Sequence, residues 1–104
     1  MHSTLKIGLS MRVVTAAGYD ERRDAISQEW ARLLDSWGAI PVLLPNTFSN
    51  IGALLNVVDL VILTGGNDVT VDPQGIPVSE CNNAAKERDL QEYQVIDICI
   101  AKGI

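Results

Sequence analysis

Apolar residues fall in short blocks along the chain, separated by polar stretches that carry glycine and proline. Leu5-Lys6-Ile7-Gly8-Leu9 predicts a first strand, with Arg12 just past its carboxyl end and a loop at Ala16-Ala17-Gly18. Residues 20 to 37 predict a helix, because Ile26, Trp30, Leu33, Leu34 and Trp37 recur on one helical face. Asp20 and Glu21 suit its positive end, and Gly38 suits a left-handed cap at the other. Ile40-Pro41-Val42-Leu43-Leu44 predicts a second strand, with Pro41 near its start and Pro45-Asn46 closing it. Residues 50 to 57 predict a short helix with Asn50 as its cap. Asp59-Leu60-Val61-Ile62-Leu63 predicts a third strand, apolar throughout as in a strand covered on both faces. Residues 69 to 82 read as a loop with Pro73, Gly75 and Pro77, and a last helix runs from about Asn83 to Lys102, ended by Gly103.

Alternation of strand and helix implies a parallel sheet with crossover helices, an α/β fold. Three short parallel strands make a thin sheet, and a crossover helix should deliver a further strand. The pattern therefore implies that residues 1 to 104 are the N-terminal part of a larger domain; the competing reading is a small protein that ends in a frayed helix. The coding sequence after Ile104, or the intact mass of the natively expressed protein against 11.3 kDa, separates the two.

Composition narrows the function. Eight Lys and Arg against 13 Asp and Glu leave a formal charge of −5. That balance disfavours non-specific nucleic-acid binding and anionic membranes. No apolar run approaches the roughly 20 residues of a spanning helix, and Met1 to Lys6 lacks a signal-peptide layout. Two cysteines without short metal spacing give neither a disulfide framework nor a zinc site, so a reducing, cytoplasmic setting is expected.

Chemistry concentrates at Thr64-Gly65-Gly66-Asn67-Asp68, at the carboxyl end of the third strand. Open α/β sheets bind ligands there, and paired glycines let backbone N–H groups approach an anion. The plainer reading is a tight turn. Neither G-x-G-x-x-G nor G-x-x-x-x-G-K-[ST] follows the first strand, so no nucleotide cofactor is expected, nor any other. Cys81 stands beside Glu80, which raises a thiol pKa. Cys99 sits in a largely apolar helix end and reads as packing. His2, the only histidine, is at a terminus, so no convincing Cys-His pair can be assembled. Arg88 and Glu92 are four apart and suited to pair, although a solvated helix face is the simplest reading of that stretch. Arg12 lies toward the same sheet edge as Gly65 and Gly66, and suits either a bidentate carboxylate contact or a structural ion pair.

These pieces, in order, span nearly the whole chain. They are K-I-G-L-S followed by Arg12, R-D-A-I-S-Q-E-W over 23–30, P-V-L-L-P-N over 41–46, D-L-V-I-L-T-G-G-N-D over 59–68 and R-D-L-Q-E over 88–92. The set resembles the N-terminal half of the class I glutamine amidotransferase-like proteins, in particular their γ-glutamyl hydrolase branch. The strand with T-G-G-x-D is the specific piece. The resemblance implies a doubly wound, flavodoxin-like α/β domain and a Cys-His-Glu triad. Its Cys stands on a G-x-C-x-G elbow, which would begin just after Ile104, so this stretch lacks the triad and is expected to be inactive alone. The resemblance gives Gly65 and Gly66 to an oxyanion hole, with Asn67 and Asp68 shaping the loop beside it. It puts Arg88 on the helix leading to the nucleophile strand, as a structural or pocket-rim residue.

The implied reaction is acyl transfer on a small-molecule γ-glutamyl amide, releasing glutamate. Val69-Thr70-Val71-Asp72-Pro73 departs from the Pro-then-Tyr pattern of the γ-aminobutyrate branch. The short stretch from there to Arg88 resembles the γ-glutamyl-CDP-amidate hydrolases of capsule phosphoramidate synthesis. That substrate ranks first, a polyamine-pathway γ-glutamyl compound second, and a glutaminase domain feeding ammonia to a partner third. A function of another class, a non-catalytic interaction module using an exposed sheet edge, would pair with a second copy or a completing chain.

Overall fold

In a computed structural model, residues 4–15, 18, 21–65 and 86–104 are described. The elements are β1 (Lys6–Ser10), β2 (Arg12–Thr15), β3 (Arg22–Ala25), α1 (Gln28–Ser36), β4 (Ile40–Leu44), α2 (Ile51–Leu55), β5 (Leu60–Ile62) and α3 (Lys86–Lys102). β1 lies between β4 and β5, parallel to both, while β2 and β3 form a separate antiparallel pair.

Alternation along β1 divides the core into two layers. Ile7 and Leu9 join Leu34 and Ala39 under α1, with Ile26, Trp30, Leu60 and Ile62 packed against them. On the other face Leu44, Ile51, Leu55, Val58 and Val95 cluster beneath α2 and α3. Helices therefore cover both faces of a parallel sheet, the doubly wound α/β arrangement that the strand-helix alternation implies. Gly8 points to the second layer, where a Cβ would lie 3.3 Å from Leu44 Cδ1 and 3.4 Å from Val61 Cγ2.

Three expectations are corrected. The predicted helix over 20 to 37 is really a strand followed by a shorter helix. Residues 22–25 pair with residues 12–15, and Ser27 caps α1 by accepting from the Glu29 N–H at 3.3 Å. A side-chain cap one residue before Gln28 outcompetes the weaker attraction of Asp20 and Glu21 for a helix end. Second, the helix face is only partly buried: Leu34 is inaccessible, but Leu33 and Trp37 are exposed. Third, the residues of β5 are half-buried rather than fully covered, as suits a strand that among the described residues has a neighbour, β1, on one edge alone. The stops are as predicted: Gly38 and Gly103 adopt φ of 69° and 73°. Residues 69–82 and 83–85 lie outside the described residues.

Candidate functional site

The carboxyl ends of β1 and β5 meet at Ser10 and Thr64, both buried. Thr64 N–H donates to Ser10 Oγ at 2.8 Å, and Thr64 Oγ1 donates to the Ser10 carbonyl at 2.8 Å. This reciprocal clasp holds the chain just as it leaves β5 for Gly65. Arg88 enters from the first turn of α3 and is 3% exposed. Its Nη2 donates to the Thr64 carbonyl, to Thr64 Oγ1 at 3.3 Å and to Ser10 Oγ at 3.4 Å. Nη1 donates to the Gly65 carbonyl at 3.2 Å, and Nε to Glu92 Oε1 at 2.6 Å.

A cation near a helix N-terminus is opposed by the helix dipole, and a buried one by desolvation. Glu92, one turn along the same helix, and the Thr64 and Gly65 carbonyls offset both. The i, i+4 pair is as predicted, whereas the solvated face is not: the side chain is folded inward onto the end of β5. At Gly65 itself a Cβ would meet nothing within 4 Å.

The β2–β3 pair is moored beside this junction by two polar ties. Asp24 accepts from the Asn46 backbone N–H at 3.0 Å and from Asn46 Nδ2 at 2.8 Å, while Nδ2 also donates to the Met11 carbonyl at 3.1 Å. Asn46 is thus a buried bracket joining the ends of β1, β3 and β4. Arg22 grips Glu87 with Nε and Nη2, the latter at 2.9 Å, at the start of α3. That hydrogen bond pulls the Glu87 carboxyl below its ordinary value, against a smaller opposing effect of burial. Neither tie emerges from sequence reasoning. The one legible signal is an Asn directly after Pro45 at a strand end.

Of the residues singled out from sequence, Gly65 and Arg88 are brought together. Arg12 opens β2 opposite Ala25 and is exposed, outside the Ser10–Thr64–Arg88 cluster. Gly66, Asn67, Asp68, Cys81 and His2 lie outside the described residues. Cys99 packs against the second core layer, and burial pushes its thiol pKa up. Such a thiol carries less thiolate, so it reads as packing rather than as a nucleophile. Among the described residues no three His, Cys, Asp or Glu side chains gather as a metal would require, and no helix is long and apolar enough to cross a membrane.

Residues 7–104 match the family model for peptidase C26. The chain belongs to the peptidase C26 family. Its described strands and helices fit the flavodoxin-like, class I glutamine amidotransferase-like fold of that family. Over 103 residues this peptidase C26 chain is 29% identical to the gamma-glutamyl-CDP-amidate hydrolase of Campylobacter jejuni, covering 94% of the chain and 46% of that relative. It therefore spans about half the length of the curated relative it matches. The likeness extends across the Ser10–Thr64–Arg88 junction, which falls within the family match.

Proposed function

We propose that these residues form the oxyanion-binding half of a γ-glutamyl hydrolase site, whose nucleophilic cysteine, histidine and glutamate lie on further polypeptide. The observation that carries the reading is the immobilised backbone at Thr64–Gly65, at the carboxyl end of a parallel strand, in a peptidase C26 chain. Ligands of open α/β sheets bind at that edge.

In this reading a thiolate attacks the γ-carbonyl carbon and the carbonyl oxygen becomes an oxyanion. Backbone N–H groups at Gly65 and Gly66 receive it. The amide nitrogen leaves as it takes a proton from histidine, and water then hydrolyses the thioester to release glutamate. Asn67 and Asp68 shape the rim, and Arg12 supplies a guanidinium for a substrate carboxylate. The name of the Campylobacter relative puts γ-glutamyl-CDP-amidate first among substrates. A thiolate mechanism suits a reducing cytoplasm.

The same reading assigns an occupant to the open side of β5. Leu60, Val61, Leu63, Val95, Ile96, Cys99, Ile100 and Ile104 line an open apolar cavity of about 250 Å³. A fourth parallel strand beside β5 would cover this surface and complete the domain. Intact mass and glutamate release test the proposal together. The natively expressed protein should be well above 11.3 kDa and should release glutamate from γ-glutamyl amides, whereas the 104-residue chain alone should not. Release by that chain which survives both Cys81→Ala and Cys99→Ala would overturn the cysteine mechanism. A native mass of 11.3 kDa without activity would leave an interaction module instead.

A further inference from the structure

We propose that Arg88 is a positioning residue: it fixes the direction of the Thr64 carbonyl and thereby orients the Gly65 N–H, an oxyanion donor. This rests on the hydrolase reading above. Arg88 is 3% exposed, and its Nε pairs with Glu92. Its Nη groups reach two consecutive residues, through the carbonyls of both Thr64 and Gly65. In a trans peptide the carbonyl and the following N–H point in opposite directions. With the Thr64 carbonyl drawn onto Arg88, the Gly65 N–H of the same trans peptide group faces away from the guanidinium.

The residue type at 65 supports the same conclusion from another direction. Among the described residues nothing lies within 4 Å of where a Cβ would be, and the backbone there is not in the left-handed region that favours glycine. Packing does not demand a glycine at this point, while close approach of a ligand to the backbone would. Ser10 makes the hold two-sided: its Oγ accepts from the Thr64 N–H at 2.8 Å and from Arg88 at 3.4 Å. Charge alone cannot replace this fork. A lysine ammonium at 88 is a point charge and cannot span two carbonyls and Glu92 with planar geometry.

The test uses the natively expressed protein, with γ-glutamyl-p-nitroanilide as the probe substrate. Arg88→Lys should lower kcat on the order of 100-fold, as for a donor misplaced by about 1 Å, and leave KM within about twofold because substrate binding is not its role. Leu34→Ala, on the opposite face of the sheet, supplies a destabilised control that should keep kcat when assayed well below its Tm. A loss of Tm in Arg88→Lys without a change in kcat would overturn the proposal and leave Arg88 as a structural ion-pair partner. So would an equal rise in KM that accounts for the whole loss in kcat/KM. If Arg88→Lys does not fold, the wild-type protein still decides: a scalar coupling across the hydrogen bond from Arg88 Nη2 to the Thr64 carbonyl carbon should be seen by NMR, and freely exchanging Nη protons without it would refute the positioning. A wild-type protein inactive on every γ-glutamyl amide would instead overturn the hydrolase reading itself.

Discussion

Gly8 shows how tightly one residue is constrained in this core. It lies mid-strand in β1, where glycine loses backbone entropy that alanine would not, a penalty of roughly 0.5–1 kcal/mol. An added methyl would press on Leu44 and Val61 at 3.3 and 3.4 Å, and Leu44 is itself pinned in the buried cluster with Ile51 and Leu55. Overpacking of this kind costs about 1–3 kcal/mol. The second effect should win, so Gly8→Ala should lower stability, seen as a drop in the urea midpoint with unchanged m. Gly8 could be seen in the sequence as an interruption of an apolar strand. Its neighbours could not, because Leu44 and Val61 belong to strands 36 and 53 residues away.

At the scale of elements, the β2–β3 pair is where sequence reasoning fell short. Residues 22–25 are mostly exposed and polar, so no two-residue alternation marks them as a strand. What holds them is distant: Asn46 to Asp24, and Glu87 to Arg22. The Glu87 carboxyl is held below its ordinary value, so the tie is fully present above the unfolded-state value and is lost as pH falls through the folded one. Half-exposed Arg22 limits its worth to less than about 1 kcal/mol, reduced further by salt. Glu87→Gln should show that small loss in urea unfolding at pH 7, and the difference from wild type should close in acid once both side chains are neutral. Helix α1 makes the complementary point. Leu34 and Trp37 share the predicted apolar stripe, yet only Leu34 is sealed. Leu34→Ala should cost about 2–5 kcal/mol, and Trp37→Ala should stay within roughly 0.5 kcal/mol, both by urea denaturation.

For the whole molecule, the alternation of β1, α1, β4, α2, β5 and α3, the parallel α/β class, and the helix stops at Gly38 and Gly103 were determined by the sequence alone. Each rests on local physics: hydrophobic period within one element, and the left-handed backbone that glycine permits. The place of Thr64 and Gly65 just past β5 was likewise legible, since a short apolar strand followed by glycine marks its own end. Tertiary structure decided the rest. It set β1 between β4 and β5, left one side of β5 open among the described residues, and paired residues 12–15 with 22–25. It also turned Arg88 inward onto Thr64 and Gly65, from a helix that in sequence reads as a solvated face. A buried guanidinium persists only where several acceptors converge on it. Here those acceptors come from β1, from the residues following β5, and from α3, up to 78 residues from Arg88. No local pattern encodes such a meeting, because it exists only once the sheet has brought the ends of β1 and β5 together.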